Sequence, residues 1–153
     1  MPWLAGFFIL QCVQAISRDP TMTIRIQIKR AYEEAQPSDG YRAFVDRLWP
    51  RGLSKETFKF DAWYKDLAPS AELRTWFGHK VENWEQFKDS YRSELRAPEQ
   101  QERMRELLAA AGKQAITLLY AAKDTEHNQA VVLAAELQAM STAARKRAPR
   151  KSA

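Results

Sequence analysis

Residues 115–122 (AITLLYAA) form an unbroken apolar run of strand length, and this run decides the fold. A strand with one solvated face shows apolar and polar residues in alternation, and that alternation is absent here. Both faces of the strand should therefore be covered, which is typical of a parallel sheet with flanking helices. We predict that this segment is the central strand of such a sheet.

A polar turn at residues 123–128 (KDTEHN) follows this run, and apolar residues then recur at helical spacing as far as Met140. Asp124 or Thr125 is expected to cap that last helix. Strand, turn and helix in this order make a βα unit, the building block of parallel sheets. The last helix is therefore predicted to follow the central strand and to pack against the sheet.

Two further strands are predicted nearer the N-terminus. Residues 24–30 (IRIQIKR) alternate apolar and polar side chains, as a strand with one buried face does. Residues 41–49 (YRAFVDRLW) are rich in β-formers, and Pro50 ends the run, so this strand should stop near Leu48. Residues 58–67 fit a strand and a helix equally well, and both alternatives stay open.

Three helices are predicted between these strands and the central one. Ser70 is placed to begin a short helix and Gly78 to end it. Residues 81–95 have the apolar spacing of a strong amphipathic helix, and another helix follows Pro98 and ends at Gly112. The predicted class is α/β: a small single domain with a short, mainly parallel sheet flanked by helices.

Length and composition fit one folded domain, since the chain has 153 residues of which 45% are hydrophobic and 28% charged. We expect the α/β domain to cover residues 22–141. Residues 1–21 form an apolar N-terminal extension that is similar to the apolar part of a signal peptide but lacks its basic start. We expect an upstream start codon to account for it, because Met22 comes just before the first strand pattern.

Residues 142–153 show no helical period and few apolar side chains, so a disordered basic tail is expected there. The tail also explains the net charge of +5, because it carries five cations and the remainder of the chain is neutral. Weak, non-specific contact with polyanions is therefore expected only from the tail. These cations are Arg145, Lys146, Arg147, Arg150 and Lys151.

The residues and motifs that several classes of protein require are absent from this sequence. The single cysteine, Cys12, lies in the extension, so the predicted domain has no disulfide or thiol nucleophile, and a cytoplasmic location fits. No run approaches the roughly 18 to 20 apolar residues of a membrane-spanning helix. Histidine spacing typical of metal sites is absent, as are the GxSxG, P-loop and GxGxxG motifs, so neither a metal nor a cofactor is predicted.

Two loops are candidates for chemistry, because ligands of open α/β sheets bind beyond the carboxyl ends of the strands. The first is residues 46–52 (DRLWPRG), and the second is residues 123–128. Arginine binds carboxylate or phosphate through two parallel hydrogen bonds, which favours an anion site in the first loop. A structural alternative stays open there: an ion pair of Asp46 with Arg47 or Arg51, with Trp49 in the core.

Three motifs of the chain are informative together: residues 45–56 (VDRLWPRGLSKE), 66–79 (DLAPSAELRTWFGH) and 118–133 (LLYAAKDTEHNQAVVL). They resemble the YeaO-like branch of the family called domain of unknown function 488, and the resemblance covers about residues 22–140. It implies a fold more than a function, because the family has no agreed activity. The positions that it marks as candidates are Asp46, Arg47, Trp49, Arg51, Pro69, Ser70, Lys123, Asp124 and His127.

We predict a small enzyme or ligand-binding domain whose two loops form a pocket for an anionic small molecule. The candidate acid and base residues are His127, Asp124 and Asp46. The candidate substrate-binding residues are Arg47, Trp49, Arg51, Lys123 and Ser70. The alternatives are a regulatory or nucleic-acid-associated protein that binds through the basic tail, and a methyltransferase-like transferase, which is an analogy of fold alone.

Overall fold

The computed structural model describes residues 24–147, which form one four-stranded sheet and four helices. The sheet has the order β1-β4-β2-β3, and all neighbouring strands are parallel. The predicted small α/β domain with a parallel sheet is therefore confirmed. The strands are β1 (Ile26–Arg30), β2 (Tyr41–Phe44), β3 (Ala62–Trp63) and β4 (Ile116–Tyr120), and the helices are α1 (Ala71–Phe77), α2 (Trp84–Leu95), α3 (Pro98–Ala111) and α4 (Gln129–Arg147).

Strand β4 is the central strand, as its apolar run predicts, and all five of its residues are buried. Ile116 pairs with Ile26 of β1 on one side and with Tyr41 of β2 on the other. Because the three strands run in parallel and in this register, their carboxyl ends lie side by side. The loops that follow β1, β4 and β2 therefore open at the same edge of the sheet.

The two faces of the sheet are covered by different kinds of structure. The buried apolar residues of all four helices pack on one face, in a cluster that contains Leu118 and Tyr120 of β4. The other face, with Phe44 and Leu119, is covered by aromatic rings of the segment between β2 and β3, including Phe58. Both faces of the central strand are covered, as predicted, but the second cover is an aromatic loop.

Strand β2 ends at Phe44, not near Leu48. The last backbone contact with β4 is the Val45 N–H, which donates to the Leu119 carbonyl at 3.0 Å. The next donor on β4's side, the Ala121 N–H, donates at 2.9 Å to the Asp46 carboxylate. A side chain has thus taken the place of the backbone pairing, so the β-rich run continues as a loop.

The open region at residues 58–67 contains a short strand and a turn. Strand β3 has only two residues, and a 3-10 turn at Lys65–Leu67 follows it. The Asp61 carboxylate accepts the Arg42 backbone N–H at 2.8 Å at the start of this pairing. Both sequence alternatives therefore apply in part, the strand over two residues and the helical turn over three.

The helix caps agree with the sequence in one case and differ in another. Ser70 begins α1 as predicted, with its Oγ accepting the Leu73 N–H at 3.1 Å. Neither Asp124 nor Thr125 caps α4, because the cap is Asn128, whose Oδ1 accepts the Val131 N–H at 3.2 Å. The sequence places this cap too early by three or four residues, since Asp124 instead closes the preceding turn.

Helix α4 reaches Arg147, beyond the domain boundary expected at residue 141. Residues 142–147 are helical, because alanine, lysine and arginine are good helix formers and positive charge suits a helix C-terminus. The extension and residues 148–153 lie outside the described residues and stay predictions. Among the residues that the structure describes, no helix has both the length and the apolar character needed to cross a bilayer.

Candidate functional site

A cavity of about 720 Å³ opens at the carboxyl edge of the sheet. Its wall takes residues from the ends of β1, β2 and β4 and from helices α1 and α2. Both loops singled out by the sequence contribute, the first through residues 46–51 and the second through Lys123 and Asn128. A volume of this size is ordinary for a site that binds a small molecule.

Positive charge dominates this wall. Five of the lining side chains are cationic, whereas the only carboxyl among the described lining residues is that of Asp46. A concave wall of one sign concentrates the electrostatic potential inside the cavity and attracts ions of opposite charge. The five cations are Arg30, Arg47, Arg51, Arg74 and Lys123.

Asp46 lies between β2 and β4 and binds only neutral donors. One carboxylate oxygen accepts the Ala121 N–H, and the other accepts the side-chain amide of Gln129 at the start of α4. The ion pair with Arg47 or Arg51 that the sequence left open does not form in the described part of the chain. Burial raises the pKa of Asp46 to about 6, an effect that the Ala121 bond and the charge of Arg74 partly offset.

Arg47 lines the cavity with an incomplete set of hydrogen bonds. Its Nη2 lies 3.5 Å from the Ala68 carbonyl and 3.4 Å from the Pro69 carbonyl, at the long end of hydrogen-bond distances. Its Nε is buried and has no hydrogen-bond partner. A buried guanidinium N–H without an acceptor is costly.

Arg30 lies at the other end of the cavity wall from Arg47, where it contacts the loop that follows β4. Its Nε donates to the Ala122 carbonyl at 2.9 Å and its Nη2 to the Ala121 carbonyl at 3.2 Å. The guanidinium also lies over the ring of Tyr32, 4.8 Å from its centroid, and the Tyr32 hydroxyl donates to the Arg51 carbonyl at 2.9 Å. The two loops are thereby joined at this end through the residues that follow β1.

No sequence motif singles out the lining residues Arg30 and Arg74, and the position of His79 after Gly78 favours a contact at the helix end over a role in a site. Arg30 has the pattern of an ordinary strand end, and Arg74 that of an exposed helix position. His79 carries one faint signal, because it follows the glycine that ends α1. It adopts a φ of 58°, a left-handed conformation that is uncommon outside glycine.

Trp49 has two roles in the structure, since it lines the cavity and also packs in the aromatic cluster behind it. Its ring lies at steep angles to those of Phe58 and Trp63, with centroids 5.5 and 5.7 Å away. Its indole N–H donates to the Leu53 carbonyl at 2.6 Å. This packing fixes one wall of the cavity against the aromatic face of the sheet.

The predicted acid and base pair forms, but it does not line the cavity. His127 Nδ1 lies 2.9 Å from the Asp124 carboxylate, and the imidazole packs edge-on against Trp84 at 5.2 Å between centroids. The Glu126 N–H, together with the contacts to His127, keeps the pKa of Asp124 below its usual value. Neither residue is among those that line the cavity.

Ser70 also lies away from the cavity wall. Its hydroxyl donates to Glu94 of α2 at 2.7 Å, and its backbone N–H donates to the same carboxylate at 2.9 Å. Together with the cap contact to Leu73, these bonds tie the start of α1 to α2. In the described residues, no group of three or more potential metal ligands comes together.

Comparison with known proteins places the chain in a family. The family model described as the inactive DUF488-N3 subclade matches residues 25–153. The Escherichia coli (strain K12) protein named "Uncharacterized protein YeaO" is 45% identical over 117 residues, which cover 76% of this chain and 100% of that protein. "Uncharacterized protein Mb3100c" of Mycobacterium bovis is 36% identical over 110 residues, 72% of this chain and 91% of the relative. No solved structure matches. The chain therefore belongs to the DUF488 family, as a YeaO-like member.

Proposed function

We propose that this protein binds an anionic small molecule in the cavity at the carboxyl edge of the sheet, and that it works as a ligand-binding domain. The observation that carries the proposal is the wall itself, with five cations around one carboxyl. Arg51 and Lys123 are exposed at the mouth, where they can meet an incoming anion. Arg47 lines the same wall, and its Nη2 makes only long hydrogen bonds to the Ala68 and Pro69 carbonyls.

Two observations favour binding over turnover. The histidine and carboxylate best suited to proton transfer, His127 and Asp124, pair with each other outside the cavity wall. The matching family model is described as an inactive subclade, a description that agrees with binding alone. Within the cavity, Asp46 remains the acid and base candidate of the enzyme alternative, because its pKa is raised to about 6.

Thermal stability measured at low ionic strength tests the proposal. Phosphorylated and carboxylated metabolites are added to the full chain, and a ligand at a hundred times its Kd adds roughly 2.7 kcal/mol to the free energy of unfolding. For a domain of this size, that corresponds to a rise in Tm of roughly 5 to 10 °C. Arg51→Ala and Lys123→Ala should lose the shift, and His127→Ala should keep it.

Arg105→Ala is the matched control, because Arg105 is an exposed arginine of α3 outside the cavity wall. Equal loss with this variant would mean non-specific attraction, and no shift with any anion would remove the proposal. A variant that lacks residues 145–153, and with them all five tail cations, tests the basic-tail alternative. If that truncation alone abolished anion binding, the regulatory or nucleic-acid-associated function would replace ours. Conversion of a bound ligand, lost in Asp46→Asn, would make the protein an enzyme.

A further inference from the structure

The cations of the cavity fall into two groups, and the strand order sets the distance between them. Arg30 ends β1, whereas Arg47 follows β2, and β4 lies between these two strands. Neighbouring strands are about 4.8 Å apart, so the ends of β1 and β2 are separated by about 10 Å. The helix α1 that carries Arg74 follows β3, one strand further along the same edge.

The first group surrounds the end of β1. Arg30 is fixed there by the carbonyls of Ala121 and Ala122, and the loop after β4 continues directly into Lys123. Arg51 belongs to the same end, since its backbone carbonyl accepts the Tyr32 hydroxyl. This end of the cavity therefore has three cations, two of which have exposed side chains.

The second group lies beside helix α1. Arg47 contacts the Ala68 and Pro69 carbonyls just before that helix, and its buried Nε is without a partner. Arg74 is exposed on the helix, and it is near enough to Asp46 to lower the pKa of that carboxyl. This end therefore offers two guanidinium groups.

The carboxyl of Asp46 lies between the two groups. Each of its oxygens already accepts one protein donor, and each keeps a second lone pair for another. At neutral pH its negative charge repels a third anionic group at this point. It would accept a hydroxyl there, because an ionised carboxylate only accepts hydrogen bonds.

One phosphate or carboxylate cannot contact Arg30 and Arg47 together. Arg30 is held by carbonyls that follow β4, Arg47 contacts carbonyls that follow β3, and β2 lies between those two strands. Two strand spacings are about 10 Å, whereas hydrogen bonds to one phosphate reach about 3 Å on either side. We propose, on the basis of the binding function above, that the ligand carries two separate anionic groups joined by a neutral, hydroxyl-bearing spacer. A sugar phosphorylated at both ends has this chemistry.

Calorimetric titration of the full chain tests this inference with four probes: inorganic phosphate, fructose monophosphate, fructose bisphosphate with a phosphate at each terminal carbon, and tripolyphosphate. The bisphosphate should bind at least about tenfold more tightly than the monophosphate, which corresponds to about 1.4 kcal/mol. Tripolyphosphate, despite its higher charge, should bind more weakly than the bisphosphate, because its middle phosphate meets Asp46.

Single variants separate the two ends. Lys123→Gln and Arg74→Gln remove exposed cations from the first and the second group, so neither should unfold the domain. Each should bring the affinity for the bisphosphate down to that for the monophosphate. Asp46→Asn should raise the affinity for tripolyphosphate, and Arg105→Gln, outside the cavity, should change nothing.

The outcomes distinguish this inference from the function on which it rests. Equal binding of monophosphate and bisphosphate, or tighter binding of tripolyphosphate, would overturn the two-ended ligand and leave the anion site in place. Loss of the bisphosphate preference in only one of Lys123→Gln and Arg74→Gln would mean a single anion subsite, with the same consequence. If none of the four probes bound at millimolar concentration, the anion-binding function would fail together with the inference.

Discussion

Two carboxylates of this domain, Asp39 and Asp46, lie at opposite ends of β2 and have opposite electrostatic surroundings. Asp39 is 1% exposed and forms ion pairs with Lys29 and Arg42. Asp46 accepts hydrogen bonds from Ala121 and Gln129, both of which are neutral. Their pKa values move apart accordingly, that of Asp39 downward and that of Asp46 upward to about 6.

The surroundings of Asp39 are those of a structural charge. Burial by itself raises the pKa of this carboxyl, but the Gln36 backbone bond and the two cations lower it further than burial raises it. Its backbone carbonyl also accepts the buried hydroxyl of Thr117 on β4 at 2.7 Å. Asp39 therefore fastens the segment before β2 to the sheet face away from the helices.

Asp46 shows the opposite arrangement. Five cations line the cavity beside it, yet none of the described ones pairs with it. Neutral donors position a carboxylate without cancelling its charge, and the neighbouring cations stay available to other anions. Titratable groups whose pKa is shifted by burial in a cleft are typical of functional sites, whereas paired ones are common in structural roles. This difference supports the proposal that ligands bind at the end of the sheet where Asp46 lies.

The largest expected effect is that of removing the paired charge. Asp39→Asn leaves Lys29 and the buried Arg42 without their counter-ion, and the loss of one partner of a buried ion pair costs about 3 to 5 kcal/mol. Asp46→Asn should not destabilise the domain at neutral pH, since the partners of Asp46 are neutral and burial already disfavours its charge. Urea unfolding at neutral pH measures both. Equal losses in the two variants would remove the distinction between these carboxylates.

The next effect is a pH dependence of the free energy of unfolding that comes from the raised pKa of Asp46. For a pKa shift of this size it amounts to at most about 3 kcal/mol. Because the pKa of Asp46 is raised from 3.8 to about 6, the folded state holds this proton more tightly than the unfolded chain. The contribution of Asp46 to stability therefore declines as the pH rises from about 4 to about 6. The lowered pKa of Asp39 acts in the other direction, and its contribution is lost as the pH falls below about 4.

The difference in unfolding free energy between wild type and Asp46→Asn isolates this dependence, because other titrating groups cancel. That difference should change between about pH 4 and about pH 6 and be level above that range. A level difference at every pH would show that Asp46 keeps an ordinary pKa. The same subtraction with Arg105→Gln is the control, and it should be level throughout.

The surroundings of the two carboxylates depend on contacts between distant segments, which the sequence alone does not predict. Local patterns predict the parallel sheet, its central strand and the two loops at its carboxyl edge, because burial and turn chemistry depend on neighbouring residues. They could not predict that Arg30 and Arg74 join these loops, since that depends on the order of strands in the sheet. Nor could they show that His127 packs on Trp84, because that contact joins residues 43 positions apart.

Asp39 was missed for the same reason, although it is the one fully buried carboxyl among the described residues. In the sequence it belongs to a run of turn formers, residues 35–40 (AQPSDG). Its partner Lys29 is supplied by β1, ten residues earlier, and its backbone contact Thr117 by β4. Ion pairs between distant segments leave no periodic signal, so only the fold reveals them.

The smallest expected effect couples Asp46, and not Asp39, to a ligand. An anion bound among the cavity cations adds a negative charge beside Asp46 and so raises its pKa further. Binding then takes up a proton, and by linkage the affinity for the anion increases as the pH falls through about 6.

Sulfate is a suitable probe, because it does not itself titrate in this range and has no hydroxyl. Titrations of wild type at neutral pH and near pH 5 should differ a few-fold, about 1 kcal/mol or less. Asp46→Asn should abolish the difference while it retains binding. A pH dependence that persisted in Asp46→Asn would assign the proton to another group and overturn this prediction.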